Sequence, residues 1–122
     1  MPAWTEETFG NDGARQFLEM QTTRLVGTIH DIVSHKDRIG PDDDGESMLM
    51  PCVEVLALLC ERYDVAPPKP SLLKQWQEKY LNVYDASIAR YNPDPRFRAE
   101  RRKAIEKTFR WIVSLSECYW NN

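Results

Sequence analysis

Apolar positions recur every three or four residues along four stretches of the chain, and nowhere do they alternate with period two for long. The first stretch, residues 13–36, sets Ala14, Phe17, Leu18, Leu25, Ile29, Ile32 and Val33 on one helical face. Asn11 or Asp12 just ahead of it carries the side-chain oxygen that caps the free N–H groups of a first turn. The second, residues 47–63, contains MLMPCVEVLALLCERY, with Pro51 in the first turn where its missing N–H costs least. It is apolar almost all round, with Glu54 and Glu61 as its main polar interruptions, which predicts a central helix. The third, residues 72–91, is expected to be capped by Ser71 and aligns Leu72, Leu73, Trp76, Tyr80, Val83, Tyr84 and Tyr91. The fourth, residues 96–119, aligns Phe97, Ala104, Ile105, Thr108, Trp111, Ile112, Leu115 and Tyr119. Trp76, Tyr80, Phe97 and Trp111 are expected in the core.

The segments between are readable too. DRIGPDDDGES, rich in Gly, Pro and Asp, reads as a solvated loop. Three prolines within four residues make DVAPPKP a stiff extended linker, and NPDP breaks the third helix from the fourth. The fold predicted is all-α, a roughly four-helix bundle in one domain of 122 residues. Trp4 and Phe9, ahead of the first cap, read as apolar anchors of an irregular N-terminal strap folded across the bundle.

Charge changes the picture in one respect. The net charge is only −3, which favours neither nucleic acid nor an anionic membrane as partner of the whole molecule. Yet residues 1–64 carry 13 acids against 5 bases, and residues 65–122 carry 11 bases against 6 acids. Either the halves neutralise each other inside one fold, or the asymmetry survives as a field that steers a charged partner. Cys52, Cys60 and Cys118 form an odd set without CxxC spacing and read as small core residues in a reducing compartment. With no apolar run near the ~20 residues of a membrane span and no leader pattern, the expected address is the cytoplasm.

Candidate chemistry is sparse. His30 and His35 diverge by about 140° on a helix and cannot share one ion. Counted from Asp42, the acidic stretch has Ser47 at the sixth position and Val53 at the twelfth, so the EF-hand pattern fails. No catalytic residue, metal site or cofactor is expected. Asp42, Asp43, Asp44 and Glu46 instead read as an acidic docking surface. Trp120 in the terminal CYWNN either closes the end of the bundle or presents an anchor to a partner, including a second copy of the chain. RFRAERRKAIEKTFR holds seven bases and two acids, but no groove-reading motif accompanies it. Glu54 and Arg101 are the misplaced charges on their apolar arcs. A buried charge needs an opposite one, which predicts an ion pair between Glu54 and Arg101 or Arg102. A lone Glu54 acting as general base lacks a nucleophile, histidine or metal beside it in sequence.

Ala3-Trp4, Phe9, Asn11-Asp12 and Ala14 together resemble the signature of bacterial domain-of-unknown-function family 4259, whose members begin Met-Gly-Ala-Trp-Gly and continue Phe-x-Asn-Asp-x-Ala. The stretch from Cys52 through Glu54 to Ala57, and Ser116-Glu117 with Trp120, are similar to further parts of its pattern. Pro2 and Thr5 stand where the family has glycines. The resemblance implies a small, helical, soluble cytoplasmic protein and carries no activity. In size and acidity such proteins resemble the immunity and accessory proteins found beside bacterial toxins. The function expected is therefore a non-catalytic protein-interaction module of the immunity-inhibitor kind, its partner a basic toxin or effector. The alternatives are a nucleic-acid-associated protein using the basic fourth helix, which the charge balance disfavours, and a small-molecule-binding helical protein.

Overall fold

The computed structural model describes residues 5–121, so Trp4 and its expected anchoring role lie outside the described residues. Four long helices form: α1, Asp12–Ser34; α2, Met50–Tyr63; α3, Pro70–Tyr91; and α4, Pro95–Trp120. The protein is an all-α four-helix bundle, with no strand among the described residues.

Local chemistry sets the helix ends. Asn11 holds an extended conformation while its Oδ1 accepts from the Ala14 amide at 2.8 Å. Asp94 caps α4 the same way, accepting from the Arg96 amide at 3.0 Å, with Pro95 at the first helical position. α3 departs from expectation: it starts at Pro70, and Lys69 rather than Ser71 is the capping residue, with no side-chain bond. Proline fixes the first helical φ and wastes no donor, so a serine cap is unnecessary. α2 ends at Asp64, which takes the left-handed conformation (φ 56°, ψ 39°) that Asp tolerates better than most residues.

The stretch read as a loop is the largest correction. Pro41–Leu49 forms a wide helical segment that runs directly into α2, broken only at Asp43 (φ −97°, ψ −119°). It buries Pro41, Gly45 and Leu49, with Ile39 just ahead, and packs on α1, α2 and α3. A Cβ on Gly45 would stand 2.5 Å from Cε1 of Tyr80 and 2.6 Å from the Ile39 carbonyl oxygen. The glycine that looks like a loop former is there because a buried tyrosine lies against the backbone.

α2 packs against α1 and α4, while α3 packs against α4 and, over a shorter length, α1. Nη1 of Arg15 donates to the Tyr63 carbonyl at 2.6 Å, joining the start of α1 to the end of α2, so these two are antiparallel. Contacts of α4 with residue 46 near its start and with Glu61 further along show that α2 and α4 run the same way. The 64–69 linker must therefore cross the end of the bundle beneath α4. Two α4 side chains hold it there: the buried Ser116 donates to the Pro68 carbonyl at 2.5 Å, and the Trp120 indole N–H to the Pro67 carbonyl at 2.9 Å.

One core joins the helices, with Ile29, Leu56, Trp76, Tyr80, Phe109 and Ile112 among its fully buried members. Each such side chain contributes about 1.5–3 kcal/mol relative to exposure. On α4 the inward line is Ile105, Phe109, Ile112 and Ser116. Phe97, expected in the core, is 46% exposed, Trp111 is half-buried, and Phe17 and Tyr91 are exposed as well. The inward line passes through Phe109, which the expected arc leaves out, while Phe97 and Trp111 sit at its flank.

Candidate functional site

The acidic segment is where charge, backbone irregularity and helix ends meet. Backbone bonds close it tightly: the Asp44 amide donates to the Arg38 carbonyl at 2.9 Å, and the Asp43 and Gly45 amides both donate to the Gly40 carbonyl at 3.0 Å. Arg38 Nε donates to Asp44 Oδ2 at 2.7 Å, and its Nη1 reaches the Asp31 carboxylate. Those bonds raise the Arg38 pKa above its ordinary value, the Asp44 hydrogen bond most strongly. Asp42 and Asp43 are left facing solvent.

Glu46 turns inward. Its Oε1 accepts from Arg101 Nε at 2.5 Å, and its Oε2 accepts from the Tyr80 hydroxyl at 2.6 Å and from Arg101 Nη2 at 3.3 Å. Burial, then the bond to Glu46, pushes the Tyr80 phenol far above its ordinary pKa, so it stays a donor. The Glu46 bond raises Arg101, against the lowering effect of burial.

This arrangement bears on two expectations. Asp44 and Glu46 are each paired with an arginine of their own chain, while among the described residues Asp42 and Asp43 are not. The expected Glu54–Arg101 or Glu54–Arg102 pair does not form: Arg101 pairs with Glu46, and Arg102 pairs with Asp85 through two bonds (2.8 and 3.0 Å) and with Glu106. The reason is register. Glu54 lies eight residues, about 12 Å, further along the helical path than Glu46, on an exposed face. Glu54 and Arg101 still border one shallow cleft of about 230 Å³ with Met50 and Thr108.

At the opposite end Trp120 is tied to the bundle yet 39% exposed. Its indole N–H is bonded to the linker, Lys69 Nζ sits 3.8 Å from its ring centroid, and Tyr119 packs edge-on at 4.9 Å. Phe9 lies edge-on against Tyr63 at 4.8 Å, which places Phe9 near the end of α2. A cleft of about 500 Å³ opens between them, lined by Glu6, Glu7, Arg15 and Arg62. Its cations are already engaged, Arg15 by the Tyr63 carbonyl and Arg62 over the Tyr63 ring. Cys60 and Cys118 face a second cleft of about 350 Å³. Burial pushes the Cys60 thiol up to about 11, so it is a poor nucleophile at neutral pH.

Among the described residues no three His, Cys, Asp or Glu side chains converge as metal ligands, and no helix is long and apolar enough to cross a membrane. His30 is exposed, and His35 bonds back to Asp31. Two features escaped the sequence reading. Ser116 could have been found as a polar residue in line with Ile105, Phe109 and Ile112; the Tyr80–Glu46 bond, 34 residues apart, left no local signal.

The distribution of ion pairs decides how the charge asymmetry is expressed. Among the described residues a single ion pair, Arg101–Glu46, joins the acidic half to the basic half; the others lie within one half. Outside those pairs Asp42, Asp43 and Glu54 stand exposed in the acidic half, and Arg96, Lys103, Lys107 and Arg110 in the basic half. Compared with protein-family models, curated proteins and solved structures, the chain matches none of them.

Proposed function

We propose that this protein is a non-catalytic interaction module of the immunity-inhibitor kind, which masks a basic effector protein with its acidic flank. The observation that carries the reading is the unneutralised acidic half: Asp42 and Asp43 stand exposed while only one ion pair links the halves. Acids at such a rim steer a basic partner and fix its register more than they add affinity. The N-terminal resemblance and the small acidic chain agree with this reading.

The test is Asp42→Lys with Asp43→Lys in the tagged full chain, recovered with its partner from the native host. Both side chains face solvent and Asp43 enters the internal bonds through its backbone, so helicity by circular dichroism should be unchanged while the basic partner is lost. Undiminished recovery of that partner would refute the acidic-flank reading. One observation favours a second reading. Arg96, Lys103, Lys107 and Arg110 form a solvent-facing row over about 21 Å of α4, with no ion-pair partner among the described residues. Such a row suits a phosphate backbone, and binding through it would weaken steeply with salt and with Lys103→Glu and Lys107→Glu.

A further inference from the structure

α2 carries a second apolar line that the core does not use. Its inward residues are Met50, Val53, Leu56, Ala57 and Cys60. On the far side Pro51, Val55 and Leu58 follow one another at i, i+4 and i+7, one above the next, and all three are exposed. Val55 is 44% and Leu58 51% exposed, and Met48, just before the helix, is 42% exposed. Single exposed leucines are ordinary; a contiguous line at helical spacing is the form a docking face takes.

The charges beside this line are of one sign. Glu54 and Glu61 lie on its α4 flank, as the Trp111–Glu61 bond (2.6 Å) and the cleft shared by Glu54 and Arg101 show. Glu54 has no ion-pair partner among the described residues, and the Trp111 bond occupies only Oε2 of Glu61. Asp42 and Asp43 stand at the N-terminal approach to α2. The one base on the face, Arg62, is placed over the Tyr63 ring.

We infer that the solvent face of α2 docks a basic amphipathic helix of another protein, its apolar side on Val55 and Leu58 and its Lys or Arg side chains toward Glu54 and Glu61. This rests on the interaction reading above and moves its centre from the acidic segment to α2. The mode is a helix laid along a hydrophobic line with complementary charge at the rim. A second copy of this chain is a poorer occupant, because the basic outer row of α4 presents no matching apolar line.

The probe is a fluorescently labelled amphipathic peptide of Leu and Lys, about 18 residues or five turns long, with a Leu/Glu peptide as counterpart. Each is titrated into the full chain by anisotropy. The Leu/Lys peptide should bind and the Leu/Glu peptide should not. Val55→Ser with Leu58→Ser should weaken binding about tenfold or more, as loss of two central anchors does. Glu54→Lys should weaken it too, most at low salt. All sites are exposed, so circular dichroism should show intact folds. Failure of the Leu/Lys peptide to bind, or equal affinity for the α2 variants and the parent, overturns the docking face. So does a dimer in sedimentation that Leu58→Ser dissolves, which makes the occupant a second copy. If only Asp42→Lys with Asp43→Lys abolishes peptide binding, the α2 inference fails and the acidic-flank reading survives. If both sets of variants bind as the parent does, both fail.

Discussion

α2 and α4 run side by side in the same direction, and each buries one face in the common core, yet their outer faces are opposites. α4 turns Arg96, Lys103, Lys107 and Arg110 outward, the ordinary arrangement of a surface helix. α2 turns Pro51, Val55 and Leu58 outward with acids alongside. An all-round apolar helix suggests a central position, and α2 does pack on α1, on α4 and on the 41–49 segment, yet its outer face stays uncovered. The excess apolar surface does not stabilise this fold, which is why it points to something outside the chain.

The comparison can be broken first at the core. Phe109→Ala removes a fully buried ring from the inward line of α4 and should cost about 3–5 kcal/mol in chemical denaturation, close to loss of the fold at ambient temperature. Arg101→Met leaves Glu46 half-buried with only the Tyr80 hydroxyl and should cost about 1–3 kcal/mol. Adding Glu46→Met to it should recover part of that loss, since no carboxylate is then stranded; a double mutant equal to the sum of the singles would contradict the pairing.

Alkaline pH probes the inner face of α2. Burial raises the Cys60 pKa from 9.0 to about 11, so the folded state holds the proton more tightly than the unfolded chain. The stabilisation is complete below pH 9 and drains away as pH rises toward 11, by no more than about 3 kcal/mol. Urea midpoints should fall over that window, and Cys60→Ala should flatten the Cys60 portion of the slope. The smallest effect belongs to the outer face of α2: Leu58→Ser should move stability by no more than about 0.5 kcal/mol. A loss of several kcal/mol there would mean the residue is core after all.

The four helices, the Asn11 cap, Pro51 in the first turn of α2 and the extended linker were legible because each depends on neighbours in sequence. The half-buried position of Arg101 was legible for the same reason, as a charge on an apolar arc. Its partner was not. Glu54 and Glu46 are both plausible on composition, and only the placement of Pro41–Leu49 against α1, α2 and α3 selects Glu46. The acidic stretch misled because Gly, Pro and Asp signal a loop when read locally. Here the glycine admits a tyrosine ring, and two of the acids bind arginines of the same chain.

Periodicity alone determined that this chain is helical and which side of most helices is inward, because burial of apolar area depends on spacing along a single element. Tertiary structure decided the pairings that join distant segments: Glu46 with Arg101 and Tyr80, and Ser116 and Trp120 with the linker. It also decided which apolar residues remain uncovered on α2. Those outcomes depend on the register of one helix against another, and register is fixed only when all four helices pack at once.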